Sequence, residues 1–186
     1  MKERKGEAGY IRRRKRNVAI KTLTEFGLSV ALLLLGIWQT GDRLNLLTVV
    51  AILGCLPASK ALVEWIMLMP HRSIREDVAR EIEEKGGTLT KVYDMVFTSE
   101  KNIMPVDSIV IAGNTICGYS SKQKIDTNGT AEHIKKYLRA NRFTNVSVKI
   151  FDNYASYLKR VDEMKQLETE AEGEVMIRRL LLNLSL

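Results

Sequence analysis

The chain has 186 residues, of which 45% are apolar, 27% charged and 6% aromatic, a length that suits one ordinary domain plus an additional segment. No charged residue occurs in 26–41 or in 44–59, whereas 71–186 is charged like a soluble domain; this excludes a wholly soluble protein, a disordered chain and a many-pass transporter. Cys55 and Cys117 are the only cysteines, which excludes a disulfide scaffold and a cysteine-built zinc site.

The net charge of +7 is localised. Residues 1–17 hold eight basic and two acidic side chains, and the remaining 21 basic and 20 acidic residues nearly cancel. The block Arg12, Arg13, Arg14, Lys15, Arg16 directly precedes an apolar run, the pattern of a segment retained in the cytoplasm and attracted to anionic lipid head groups. With Tyr10 as its one aromatic neighbour, the block reads as a topology and lipid signal rather than a nucleic-acid site.

The apolar runs predict two membrane spans, residues 18–38 and 44–69, joined by a tight turn at 39–43. A cleaved signal peptide fits less well, because no small-x-small cleavage site follows Trp38 and a second apolar run comes directly after. Basic residues before the first span and His71, Arg72 and Arg75 after the second put both termini in the cytoplasm. Lys21 and Glu25, and Lys60 and Glu64, are each spaced i, i+4. A symmetric hairpin sets Lys21 level with Glu64 and Glu25 level with Lys60, so the four charges form either two intrahelical bridges or one cross-hairpin quartet. Gly27 and Ala31 match Ala58 and Gly54 in depth by the same symmetry, and small residues at this spacing let helices approach closely in lipid. The two seams lie on nearly opposite helix faces unless Pro57 changes the phase of the second span, so the small residues also offer a surface for homodimerisation.

Beyond Pro70 the pattern is that of a cytosolic α/β domain. Ser73 and Glu76 suit a capping box opening a helix that Gly86 and Gly87 end. Residues 88–99 predict a strand, 100–105 a turn, 106–112 a Val/Ile-rich strand, and 115–121 a third. A polar loop at 122–129 leads to a helix at 130–141 and a strand at 145–151. Asn153 then caps a helix whose apolar face is Tyr154, Tyr157, Leu158, Val161 and Met164. Eight of the last twelve residues are apolar, which predicts a final helix that packs on the domain or meets the bilayer or a protein partner.

The segments Pro105-Val106-Asp107-Ser108-Ile109-Val110-Ile111 and Ile116-Cys117-Gly118-Tyr119-Ser120-Ser121-Lys122, in this helix–strand order, resemble the core of the restriction-endonuclease-like fold over residues 73–151. That fold includes the nuclease-related domains of some bacterial membrane-anchored proteins. The resemblance implies that Asp107 and Lys122 occupy catalytic positions, where an Asp on the second strand and a Glu-x-Lys on the third bind metal and position water. The Glu position is Ser120, so a divalent site lacks a carboxylate that hard cations need, with Asp94 or Glu83 as the nearest substitutes.

Other chemistry finds little support. His71 and His133 are far apart without a second ligand at i+4, Cys117 suits a small buried hydrophobe, and the glycines form no dinucleotide or phosphate-loop fingerprint. The sequence thus predicts a basic tail (1–17), a two-helix transmembrane hairpin (18–70), a cytosolic domain of order α-β-β-β-α-β-α (71–170) and a C-terminal apolar helix (171–186) in a multi-pass protein of the cell membrane. It reads as a non-catalytic binding or regulatory module without cofactor or metal, the alternative being a divergent nuclease-like enzyme.

Overall fold

The computed structural model describes residues 5–41, 46–99, 102–122, 125–167 and 171–185. They divide into two units, one of residues 11–72 and the other of residues 1–10 with 73–186, so the hairpin interrupts the domain in sequence.

The hairpin unit consists of α1 (Tyr10–Thr40) and α2 (Leu46–Leu68), both long and apolar enough to cross a membrane. Helix α1 starts well ahead of the expected span and takes in the whole basic block. Arg and Lys are good helix formers, and the first breaker upstream is Gly9, which has a positive φ of 81°. Pro57 lies inside α2 without changing its phase, since Ala51, Ala58 and Ala61 are buried along one stripe on both sides of it. Thr22, Ser29 and Gly36 recur every seven residues as the buried stripe of α1, the spacing of a left-handed helix pair. A Cβ on Gly54 would stand 2.8 Å from the Ser29 hydroxyl oxygen, whereas one on Gly27 would meet nothing within 4 Å. Gly54 and Ala58 therefore make the seam, and Gly27 and Ala31 face outward. The hydroxyls of Thr22, Thr24, Ser29 and Ser59 donate to the carbonyls four residues earlier, which satisfies them within apolar helices.

The second unit is a sheet of order β1-β2-β3-β4 with helices on both faces. Strands β1 (Thr90–Thr98), β2 (Ile103–Ala112) and β3 (Thr115–Tyr119) meander antiparallel. The crossover helix α4 (Thr127–Ala140) then sets β4 (Ser147–Phe151) parallel to β3. On one face Ile109, Ile111, Ile116 and Ile150 pack with Ile134 and Leu138 of α4 and with Ile177 and Leu181 of α6 (Ala171–Leu184). On the other, Val110, Ala112 and Cys117 pack with Ile82 of α3 (Glu76–Gly86) and with Tyr157 and Val161 of α5 (Tyr154–Met164). The element order is the expected one, with α6 docked on the sheet. Glu174 fastens α6 by accepting from the Gly113 amide and the Thr90 hydroxyl, each at 2.8 Å.

Local expectations change at four places. The Ser73–Glu76 capping box does not start the helix: the residue before α3 is Arg75, without a side-chain cap, and the preceding Ile74 amide donates to Asp94. Helix α4 begins within the expected polar loop, since the Asp126 carboxylate caps it by accepting from Gly129 at 2.8 Å. Strand β2 runs back through Pro105, tolerable because β3 pairs only from Ser108 onward and leaves that part of β2 at an edge. The basic tail is in part built into the domain: the Gly6 carbonyl accepts from the Tyr93 amide at 2.8 Å, and the Lys5 ammonium donates to the Ser185 carbonyl at 2.6 Å. With Ser185 also bridged to Phe97, Gly6 and Ser185 lie along the outer edge of β1 and shield it there from pairing with other chains.

Replacing the fully buried Leu181 by Ala should lower unfolding free energy by about 2–5 kcal/mol, whereas Val175→Ala on the solvent face of α6 should stay within about 0.5 kcal/mol, as read by denaturant titration of the purified chain. In the hairpin, Gly54→Leu should loosen the helix pair and Gly27→Leu should not, measured by crosslinking of cysteines introduced at the seam.

Candidate functional site

The positions singled out by the nuclease resemblance lie near one another beyond the end of β3, where β1 and β2 share an irregularity part-way along their length. Along β1, Val92 and Tyr93 face opposite sides as alternation requires, but Met95 and Phe97 then join Val92 on the α4/α6 side. Along β2, Met104 and Val106 share that side with Ile109 and Ile111, so the pleat slips on both strands together. The pairing continues from Thr90↔Ile111 to Thr98↔Ile103, interrupted only at the level of Asp94 and Asp107. Asp94 absorbs the slip with a φ of 54°, in the left-handed region that Asp tolerates better than most residues. Its carboxylate is buried and accepts from the Ile74 amide at 2.8 Å, which ties the entry of α3 to β1.

Asp107 stands opposite, and its carboxylate accepts from the Ser121 amide at 2.6 Å. Asp107 and the segment from Ser120 to Lys122 are thus brought together across β2 and β3. Ser120 is buried and donates its hydroxyl to the Pro105 carbonyl at 2.7 Å. Lys122 is exposed, with its amide 3.4 Å from the Ser120 hydroxyl oxygen. Glu83 accepts from the Tyr93 hydroxyl at 2.8 Å and pairs with Lys91 at 3.2 Å. Asp94 and Glu83 therefore each hold up the fold through α3. Among the described residues, no three His, Cys, Asp or Glu side chains are grouped so as to hold a metal ion.

Beside this end lies a tyrosine network that the sequence pattern showed only as an apolar helix face. Tyr157 of α5 is fully buried and shares a 2.9 Å hydrogen bond with Ser108. Tyr119 stacks on it at 5.5 Å, and Tyr154 tilts against Tyr119 at 5.2 Å while donating to Glu81 at 2.8 Å. Burial, reinforced by hydrogen bonds to Glu83 and Glu81, pushes the Tyr93 and Tyr154 phenols well above the ordinary range. Burial does the same to Tyr157, and the Ser108 hydrogen bond pulls the other way. The Cys117 thiol is pushed up to about 12 by burial, with Arg160 and Lys149 drawing it down in part, so it stays protonated and unreactive at neutral pH.

In the hairpin, Glu64 accepts from Arg14 at 2.7 and 3.1 Å, and Lys21 pairs with Glu25 at 3.8 Å along α1. The cross-hairpin quartet does not form. With Ser29 against Gly54, Glu64 lies level with Ala19, and Arg14 reaches it from about one turn earlier. Lys60 is exposed, Lys15 donates to the Met69 carbonyl at 2.8 Å, and Arg12 and Arg16 are exposed.

The buried phenols and thiol make stability fall at alkaline pH. Their folded values lie above their unfolded ones, so the unfolded chain releases these protons first. Their contribution is full below about pH 9 and is lost as the pH climbs past the ordinary cysteine and tyrosine values toward the folded ones. Denaturant midpoints measured from about pH 8 to 11 should decline, and Tyr157→Phe should flatten the decline by about one proton. No protein-family model matches the chain, and neither does any curated protein or solved structure.

Proposed function

We propose that the chain is a two-span protein of the cell membrane, with both termini cytoplasmic, carrying its α/β unit as a non-catalytic binding or regulatory module. The observation that carries the non-catalytic reading is Ser120. Where a metal-dependent nuclease of the resembled fold places a carboxylate, this chain has a buried hydroxyl engaged with the Pro105 carbonyl, and the facing Asp107 is engaged with the Ser121 amide. One carboxylate and a neutral hydroxyl are a poor donor set for a hard divalent cation.

The membrane reading is supported by length and by what the hairpin leaves uncovered. The 23 residues of α2 rise about 35 Å, enough for a hydrocarbon layer of about 30 Å. Leu23, Leu56 and Trp38 are 77%, 68% and 86% exposed, an apolar surface that lipid would cover. The basic block sets the orientation and suits anionic head groups; within it Arg14 pairs with Glu64 and Lys15 donates to the Met69 carbonyl. The outward Gly27 and Ala31 leave room for homodimerisation through α1.

A second reading, a divergent nuclease-like enzyme, is favoured by the meeting of Asp107 with Ser120–Lys122 at one end of a mixed four-stranded sheet. Two experiments test the proposal. Cell fractionation should leave the chain in membranes after alkaline carbonate extraction, with reporters fused to either end facing the cytoplasm. The purified chain with Mg²⁺ or Mn²⁺ should cleave DNA and RNA no faster than its Asp107→Ala variant; metal-dependent cleavage abolished by that substitution would establish the enzyme instead.

A further inference from the structure

A groove of about 340 Å³ opens between the edge of the sheet and α5, on the face that carries Cys117. Thr115 of β3 with Ser147 and Lys149 of β4 form one wall, and Ser156, Lys159 and Arg160 of α5 form the other. Register explains the first wall, because Thr115 pairs with Ser147 and Cys117 with Lys149, placing these side chains on one face of the two parallel strands. Phe151 continues that row and lies 4.9 Å from the Lys149 ammonium. Arg160 pairs with Glu163 at 2.9 Å, also at the groove, while Lys149 and Lys159 make no salt bridge with any described residue.

Two uncompensated ammonium groups, a guanidinium shared with one carboxylate, and three hydroxyls therefore line one concavity. A lysine on an edge strand is commonly a guard against aggregation, which accounts for Lys149 but not for Lys159 and Arg160 lining the same groove from a helix. A phosphomonoester carries about −1.5 to −2 at neutral pH and three strong acceptor oxygens, which matches this charge and these donors. The volume exceeds what a bare phosphate fills and falls in the range of small-molecule sites of roughly 300–1,000 Å³. The Phe151 ring and the protonated Cys117 thiol supply a neutral wall for an organic body.

We infer that the groove between β4 and α5 binds a small soluble phosphomonoester with a flat organic body, of the kind a nucleoside monophosphate represents. The inference rests on the non-catalytic binding-module reading above and gives that module a ligand class, at a place separate from Asp107 and Ser120. Lys149 and Lys159 hold the phosphate, the hydroxyls of Thr115, Ser147 and Ser156 donate to its oxygens, and Phe151 borders the organic part.

The test is calorimetric titration of the full-length chain, in phosphatidylcholine nanodiscs, with AMP, adenosine and inorganic phosphate. Saturable AMP binding is expected, with phosphate weaker and adenosine weaker still. Lys149→Ala and Lys159→Ala should each weaken AMP about tenfold without moving the unfolding midpoint, and Asp107→Ala should leave it unchanged. Absence of saturable AMP and phosphate binding would overturn the inference, as would binding indifferent to both lysine substitutions. So would a groove that engages phosphatidylglycerol vesicles or an oligonucleotide in a Lys159-dependent way but ignores AMP. Metal-dependent cleavage of nucleic acid alongside intact, lysine-dependent AMP binding would defeat the non-catalytic reading and leave the site standing. Lost AMP binding without cleavage would defeat the site alone.

Discussion

The buried carboxylate of Asp94, held by the Ile74 amide, is the contact around which the α/β unit is organised. It lets β1 turn through one residue of left-handed backbone in mid-strand, and β2 follows at the level of Asp107. Without that slip, Met95 and Phe97 would point at α3 and α5 rather than into the layer they share with Ile134, Leu138, Ile177 and Leu181. The two apolar layers thus exchange strand residues part-way along the sheet. A polar group buried in this way is tolerable only because it is hydrogen-bonded.

The same slip shapes the part of the sheet where Asp107 and Ser120 meet. Asp107 lies where the pleat changes phase and turns to the Ser121 amide, while Ser120 closes back on Pro105. Two acids of α3 accept from phenols, Glu83 from Tyr93 and Glu81 from Tyr154. Those hydrogen bonds join α3, α5 and the sheet into one polar-tipped aromatic layer, with Tyr157 at its centre and Ser108 satisfying its hydroxyl. The carboxylates in this part of the sheet thus serve as structural hydrogen-bond acceptors.

In the hairpin, contact size overrides charge symmetry. The helices meet where Ser29 faces Gly54 without room for a Cβ, and that contact fixes the register of the other pairs. Charges matched by counting from the turn are then out of step, and the long, bidentate-capable Arg14 takes Glu64. Gly27 and Ala31, equally small, are left outside because a helix offers one stripe to a single neighbour.

The sequence by itself determined what depends on local composition and short-range period: two long apolar helices, a basic block ahead of them, the order of helices and strands, the Asn153 cap, and an apolar C-terminal helix that needs a partner surface. Each follows from residues within a turn or two of one another, where hydropathy and capping chemistry act. Only the tertiary structure decided which small residues pack, which acid Arg14 meets, where the pleat slips, and that Gly6 bonds to β1 and Lys5 to Ser185. It also gathered Lys149, Lys159 and Arg160 around one groove, since nothing in their spacing reveals that β4 ends the sheet beside α5. Those features depend on long-range pairings, in which one contact sets the register of all the others, and the side-chain period of two or 3.6 residues carries no record of that choice.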